Sequence, residues 1–164
     1  RRAFPDLKIL ADLKIMDAGK EETACAVEAG ADIVTVLGAS NDTTIRVSAE
    51  AAHKAGKKIM VDMIDVPDVE ARAAAIDQLG VDYICVHTAF DVQSTGLNPL
   101  EELQKVNRVI KNARSAVAGG IKLATIEGIA AEKPAILIVG GGITGQADKR
   151  ATALAMKKIM NQYD

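Results

Sequence analysis

Gln78-Leu79-Gly80-Val81-Asp82-Tyr83-Ile84-Cys85-Val86-His87 joins two kinds of local order at one glycine. The residues before Gly80 are Ala-rich and helix-like, and Gly80 stands where a helix is closed by a residue with positive φ. The run after it is short, apolar and rich in strand-forming residues, as a buried strand requires. The same arrangement occurs twice upstream. It reads Glu28-Ala29-Gly30-Ala31-Asp32-Ile33-Val34-Thr35-Val36-Leu37 and then Lys54-Ala55-Gly56-Lys57-Lys58-Ile59-Met60-Val61-Asp62. Outward from these units, residues 8–14, 115–119 and 135–139 also read as strands.

Helices fall between the runs, and several carry start signals. Ser40-Asn41-Asp42 offers a cap for one, and Pro67-Asp68 opens another. Asn98-Pro99-Leu100-Glu101 combines an Asn cap, Pro at the first helical position and Glu three residues after the cap. Six strands alternating with six helices predict an α/β fold on a parallel sheet. Two architectures satisfy that pattern: a doubly wound open sheet and a (β/α)8 barrel. With 164 residues, length alone favours the open sheet, because barrels run longer. The residues at the strand ends favour the barrel.

Composition agrees with buried parallel strands. Hydrophobic residues make up 49% of the chain and aromatics only 2%, so the core is aliphatic. The formal charge is −2, with no basic block, which excludes an ordinary nucleic-acid surface. No apolar stretch approaches the length of a bilayer crossing, and Arg1-Arg2-Ala3-Phe4-Pro5-Asp6 leads into no signal-peptide core. Cys25 and Cys85 are isolated and form neither a metal spacing nor a disulfide framework. The expectation is a single domain over residues 1–164, soluble and cytoplasmic.

Parallel α/β folds bind ligands at the C-terminal ends of their strands. The first run ends in Asp12-Leu13-Lys14-Ile15-Met16-Asp17. Alternation along a strand puts Asp12 and Lys14 on one face, where each favours the charged form of the other. The third run ends in Asp62, an acid that needs a partner inside an aliphatic segment. The fourth ends in His87, the side chain suited to proton transfer near neutral pH. The last two runs end in Gly119-Gly120 and Gly140-Gly141-Gly142. Glycine lets backbone N–H groups approach an anion, and paired glycine loops on the last two strands of a barrel make a phosphate site. Each feature has a plainer alternative: a structural ion pair, a helix cap, a packed histidine, or two tight turns.

Taken together, these residues resemble the orotidine monophosphate decarboxylase suprafamily. Asp12-x-Lys14-x-x-Asp17 is similar to its signature. Val34-Thr35-Val36-Leu37-Gly38-Ala39, Val61-Asp62-Met63-Ile64 and Cys85-Val86-His87-Thr88-Ala89-Phe90-Asp91 are similar to its 3-hexulose-6-phosphate synthase / 3-keto-L-gulonate 6-phosphate decarboxylase group. The decarboxylases of that group carry Arg after this histidine and in the last glycine loop. Thr88-Ala89-Phe90 and Gly141 stand there in this chain, which places it on the synthase side.

The resemblance implies a (β/α)8 barrel whose first two strands would precede Arg1. Those strands normally bring an acid and a metal-binding Glu, so the six units here correspond to an N-terminally incomplete barrel. It implies an aldol condensation of formaldehyde with ribulose 5-phosphate. Asp12, Lys14, Asp17, Asp62 and His87 would be the catalytic residues, and Gly119, Gly120, Gly140 and Gly141 would hold the phosphate. Mg2+ would bind at Asp12, and a homodimer would share its sites through Asp17. The alternatives are a 3-keto-L-gulonate 6-phosphate decarboxylase-like enzyme and an inactive barrel fragment that only binds sugar phosphate.

Overall fold

Six strands form one parallel sheet in the order β1-β2-β3-β4-β5-β6, in a computed structural model that describes residues 1–95 and 98–163. They are β1 Leu10–Ile15, β2 Ile33–Leu37, β3 Lys58–Asp62, β4 Tyr83–His87, β5 Arg114–Ala118 and β6 Ile136–Ile138. Every strand pairs with its sequence neighbour. A doubly wound sheet reverses its strand order at a switch point. No reversal occurs here, so the wall is barrel-like, as the strand-end motifs predict and chain length does not.

The helices are α1 Gly19–Glu28, α2 Asp42–Lys54, α3 Val69–Ile76, α4 Pro99–Val109, α5 Ile126–Ala131, α6 Gly141–Thr144 and α7 Lys149–Met160. A 3-10 turn, Phe90–Thr95, follows β4. Among the described residues the expected six helices become seven, because the last glycine cluster forms its own single turn, α6, ahead of α7. No helix among the described residues is long and apolar enough to cross a membrane.

The expected caps form. Asn41, Asp68 and Asn98 accept hydrogen bonds from the N–H groups of Thr43, Ala71 and Leu100. Glu101 meets the Asn98 side-chain amide rather than its backbone N–H. Gly30, Gly56 and Gly80 all have positive φ, at 102°, 66° and 79°.

Strand alternation splits the side chains into two layers. Val34, Val36, Ile59, Val61, Ile84, Val86 and Val117 face the helices and are almost wholly buried. Fully burying each such side chain contributes about 1.5–3 kcal/mol. The opposite face carries Leu10, Ile33, Met60, Tyr83, Cys85, Ala116 and Ile136, a smaller apolar cluster. Above that layer, at the C-terminal strand ends, the same face turns polar.

At the other end of the wall the repeated Gly-x-Asp has its own task. Asp32 accepts from the Ile9 N–H and from Lys57, and the Asp32 side chain also pairs with Arg1. Asp82 accepts from the Ile59 N–H and from Lys58. Each carboxylate ties the start of its strand to the start of the preceding one. His53 belongs to this structural end: its Nε2 lies 2.7 Å from Asp82.

Candidate active site

The edge strand β1 does not run regularly to its end. Leu10 and Ala11 pair with Ile33 and Val34, but Ile15 pairs with Val36, so β1 holds two extra residues against β2. Lys14 takes φ 50° inside this bulge, a conformation uncommon outside glycine. Bulges re-aim side chains next to active sites. Here the bulge brings the Lys14 ammonium to two carboxylates, 2.5 Å from Asp12 Oδ2 and 3.4 Å from Asp62 Oδ2. Simple alternation correctly joins Asp12 to Lys14, but the geometry that does so is irregular.

Asp62 ends β3 and is 3% exposed. Its Oδ1 accepts from the Ile64 N–H at 2.9 Å. His87, at the end of β4, directs Nδ1 at both Asp62 oxygens, 3.0 and 2.9 Å away. Asp12, Lys14, Asp62 and His87 therefore form one connected group drawn from three strands.

Burial pulls the Asp62 pKa up, but the His87 imidazole, the Ile64 N–H and the Lys14 ammonium outweigh it and hold the carboxyl below its ordinary value. Desolvation pulls the Lys14 pKa down, yet Asp12 and Asp62 together raise it above the usual lysine value. Lys14 thus stays a cation. Cys85 lies on the cavity floor, where burial, reinforced by Asp62 and Asp12, drives its thiol far above the ordinary range. It is not a nucleophile.

Asp12, Asp62 and His87 of this group line a cavity of about 600 Å3, a volume suited to a small ligand, and Lys14 joins them through its ion pairs. The cavity is also lined by Gly119, Gly120, Gly140, Gly141 and Gly142, with Lys122 and Gln146. The glycines divide by role. A Cβ on Gly119 would collide with the Thr88 carbonyl, and one on Gly142 with the Ile121 carbonyl, so these two let backbones pass close together. Gly119 and Gly120 also have positive φ, 89° and 67°. Gly140 and Gly141 are different: a Cβ on either meets nothing within 4 Å. The protein does not need glycine there for its own packing, and the missing side chains leave open space in the cavity.

Asp17 is not brought to this group. It is exposed on the loop between β1 and α1 and does not line the cavity. Gly19 fixes that loop, because a Cβ there would run into Ser48 and Thr44 of α2. Sequence reasoning did not single out Thr35 or Lys122. Thr35 was legible in principle as the one hydroxyl in the aliphatic run Ile33–Leu37, on the inward parity. Lys122 was legible as the first cation after the Gly119–Gly120 pair.

Among the described residues no three His, Cys, Asp or Glu side chains gather into a metal cage. Asp12 nevertheless presents a half-exposed carboxylate at the cavity. Mg2+ commonly uses one or two protein carboxylates and completes its shell with substrate oxygens and water. The donor set fits that manner of binding.

The model of the orotidine 5'-phosphate decarboxylase / HUMPS family matches residues 1–156. A 3-hexulose-6-phosphate synthase of Bacillus subtilis is 57% identical over 99% of this chain and 77% of its own length. A second, from Staphylococcus saprophyticus, is 51% identical over 96% of this chain and 74% of its own. The crystal structure of 3-hexulose-6-phosphate synthase from Salmonella typhimurium superposes with a TM-score of 0.96 at 40% identity, covering 99% of this chain and 77% of that one.

Proposed function

Since the chain belongs to the orotidine 5'-phosphate decarboxylase / HUMPS family, we propose that it catalyses the aldol condensation of formaldehyde with ribulose 5-phosphate to a hex-3-ulose 6-phosphate. The observation that carries the reading is a single cavity that brings together glycine loops and ionisable side chains. The same cavity is lined by the open glycine positions Gly140 and Gly141 and by Asp12, Asp62 and His87, the last two of which are tied to Lys14 directly or through Asp62. A phosphorylated sugar offers a counterpart to each: an anion at one terminus and a ketone with acidic C–H bonds at the other.

The reaction follows from the side chains. Backbone N–H groups of Gly119, Gly120, Gly140 and Gly141 hold the phosphate; at the start of α6 the Ile143 and Thr144 N–H groups are taken up by the Gly140 carbonyl, while the N–H groups of the first helical positions lie ahead of any intrahelical acceptor. His87 removes a C1 proton of ribulose 5-phosphate, and the C–H electron pair becomes the C1–C2 double bond of an enediolate. The Lys14 cation stabilises the negative charge that develops on the oxygens. C1 then attacks the formaldehyde carbon, its carbonyl pair moves to oxygen, and that oxygen takes up a proton. A new C–C bond is formed and nothing is lost. Mg2+, held by Asp12, would supply Lewis-acid polarisation of the substrate oxygens.

The proposed assembly is a homodimer in the cytoplasm. What supports the dimer is the end of β1 and the loop after it, where Leu13 and Met16 are exposed at 45% and 56% beside the exposed Asp17. The function is tested by incubating the purified chain with ribulose 5-phosphate and 13C-formaldehyde and reading the product by NMR. A 13C-labelled C1 of a hexulose phosphate is the expected result; recovery of both reactants unchanged refutes it.

A further inference from the structure

Thr35 sits in the middle of β2, is 2% exposed, and takes no part in the reaction just described. Its hydroxyl makes two hydrogen bonds at once. It accepts from the Lys14 backbone N–H at 2.9 Å and donates to Asp12 Oδ1 at 2.9 Å. A hydroxyl has one proton and two lone pairs, so the two bonds are compatible. They also occupy the place where the β1–β2 ladder is interrupted. Between Ala11 and Ile15 the register of β1 against β2 shifts, and the part-buried Lys14 N–H takes its acceptor from the Thr35 side chain. The Thr35 hydroxyl stands there in place of a ladder carbonyl.

Resting on the proposed reaction, we propose that Thr35 is the positioning residue of the site. Its hydroxyl locks the bulged backbone of Lys14 and the carboxylate of Asp12 into one arrangement. The lock has two consequences. It holds Lys14 in its left-handed conformation, from which Nζ reaches both Asp12 and Asp62. It also takes up Asp12 Oδ1, so this half-exposed carboxylate is aimed by a buried partner rather than by solvent. Active groups need this kind of support, because small misplacements cost large factors in rate. Thr35 acts through its neighbours Lys14 and Asp12.

Substitution by Val replaces the hydroxyl with a methyl of similar size, and Ser keeps the hydroxyl without the methyl. For Thr35→Val the expected kcat is at least about tenfold lower with KM for ribulose 5-phosphate within about twofold. Thr35→Ser is expected to recover kcat to within about threefold of the unsubstituted chain. A packing role would impair both variants alike. Amide hydrogen exchange gives a readout independent of activity. In Thr35→Val the Lys14 N–H should exchange at least about tenfold faster, while the β2–β3 ladder keeps its protection.

If Thr35→Val does not fold, Thr35→Ala against Thr35→Ser gives the same comparison. An unchanged kcat in Thr35→Val, equal impairment in Val and Ser, or unchanged Lys14 exchange would each overturn the proposal. Were the unsubstituted chain inactive, the functional reading would fall, and exchange at Lys14 would still decide whether Thr35 holds the bulge.

Discussion

His87 faces Asp62 through one ring nitrogen: Nδ1 lies 3.0 Å from Oδ1 and 2.9 Å from Oδ2. With Nδ1–H donated to the carboxylate, the neutral ring is fixed in the tautomer whose Nε2 carries a lone pair. Nε2 has no protein partner among the described residues, and His87 lines the cavity. Asp62 therefore makes His87 a base directed at the ligand rather than at the protein. Asp62→Asn keeps the shape but loses the charge and can hold the opposite tautomer. Its kcat should fall by about 100-fold, with KM for ribulose 5-phosphate nearly unchanged because the glycine cradle is untouched. Steady-state kinetics on the two proteins decide it; a drop confined to KM would contradict this role.

Proton removal can be observed without the second substrate. Incubated with ribulose 5-phosphate in D2O and no formaldehyde, the chain should wash deuterium into C1, read by proton NMR. His87→Ala should lose at least about 99% of that exchange, in line with the usual contribution of a general base. Exchange at the normal rate in the variant would remove His87 from the mechanism.

Metal dependence follows from the donor set. Asp12 is the half-exposed carboxylate at the cavity, so it is the residue of this chain that would hold Mg2+, together with substrate oxygens. Treatment with EDTA should abolish condensation, and added Mg2+ should restore it. Asp12→Ala should not recover at any Mg2+ concentration. Full activity in excess chelator would exclude the role assigned to Asp12.

The strand ends were legible because each carries a chemically costly residue at a fixed point of a repeat. An acid closing Ile59-Met60-Val61 and a histidine closing Ile84-Cys85-Val86 stand out, and the three helix-closing glycines set the register. The bulge was not legible. Nothing local in Leu13-Lys14-Ile15 demands φ 50° at Lys14; that conformation depends on a hydroxyl 21 residues away. Neither was the division among the glycines, since only tertiary contacts separate Gly119, pressed on Thr88, from Gly141, facing open space. Asp77 was invisible for the same reason: its partners, Lys111 to Ala113, lie more than 30 residues on.

That division among glycines predicts opposite outcomes for one chemical change. Gly141→Ala meets no protein atom within 4 Å and adds a good helix former at the first position of α6. Its Tm should move by less than about 2 °C. The added methyl intrudes where the phosphate binds, so KM should rise by about tenfold while kcat changes little. Gly119→Ala drives a Cβ into the Thr88 carbonyl at a φ of 89°. It should cost about 3 kcal/mol or more of stability. Thermal melts and kinetics of the pair test both halves; equal loss of Tm would show that Gly141 is also structural.

Asp77 gives the last prediction, on acid stability. Its carboxylate closes α3 and accepts from the backbone N–H groups of Lys111, Asn112 and Ala113. Burial raises its pKa, but these N–H groups outweigh burial and bring it below the ordinary value of 3.8. A folded-state pKa depressed below the unfolded one stabilises the fold above the unfolded value. That contribution is lost as pH falls through 3.8 towards the folded value. Asp32, Asp62 and Asp82 are depressed too, so their effects add on the same side. The urea midpoint should be flat from about pH 8 to 5 and fall below about pH 4. Asp77→Asn should cost about 2 kcal/mol at pH 7, because an amide oxygen is a weaker acceptor for the three backbone N–H donors, of which that of Ala113 is buried. It takes up no proton at that position, so its acid limb should be shallower and the gap between the two proteins should narrow below pH 4. A gap that stays constant down to pH 3 would mean that Asp77 stabilises the loop through shape alone.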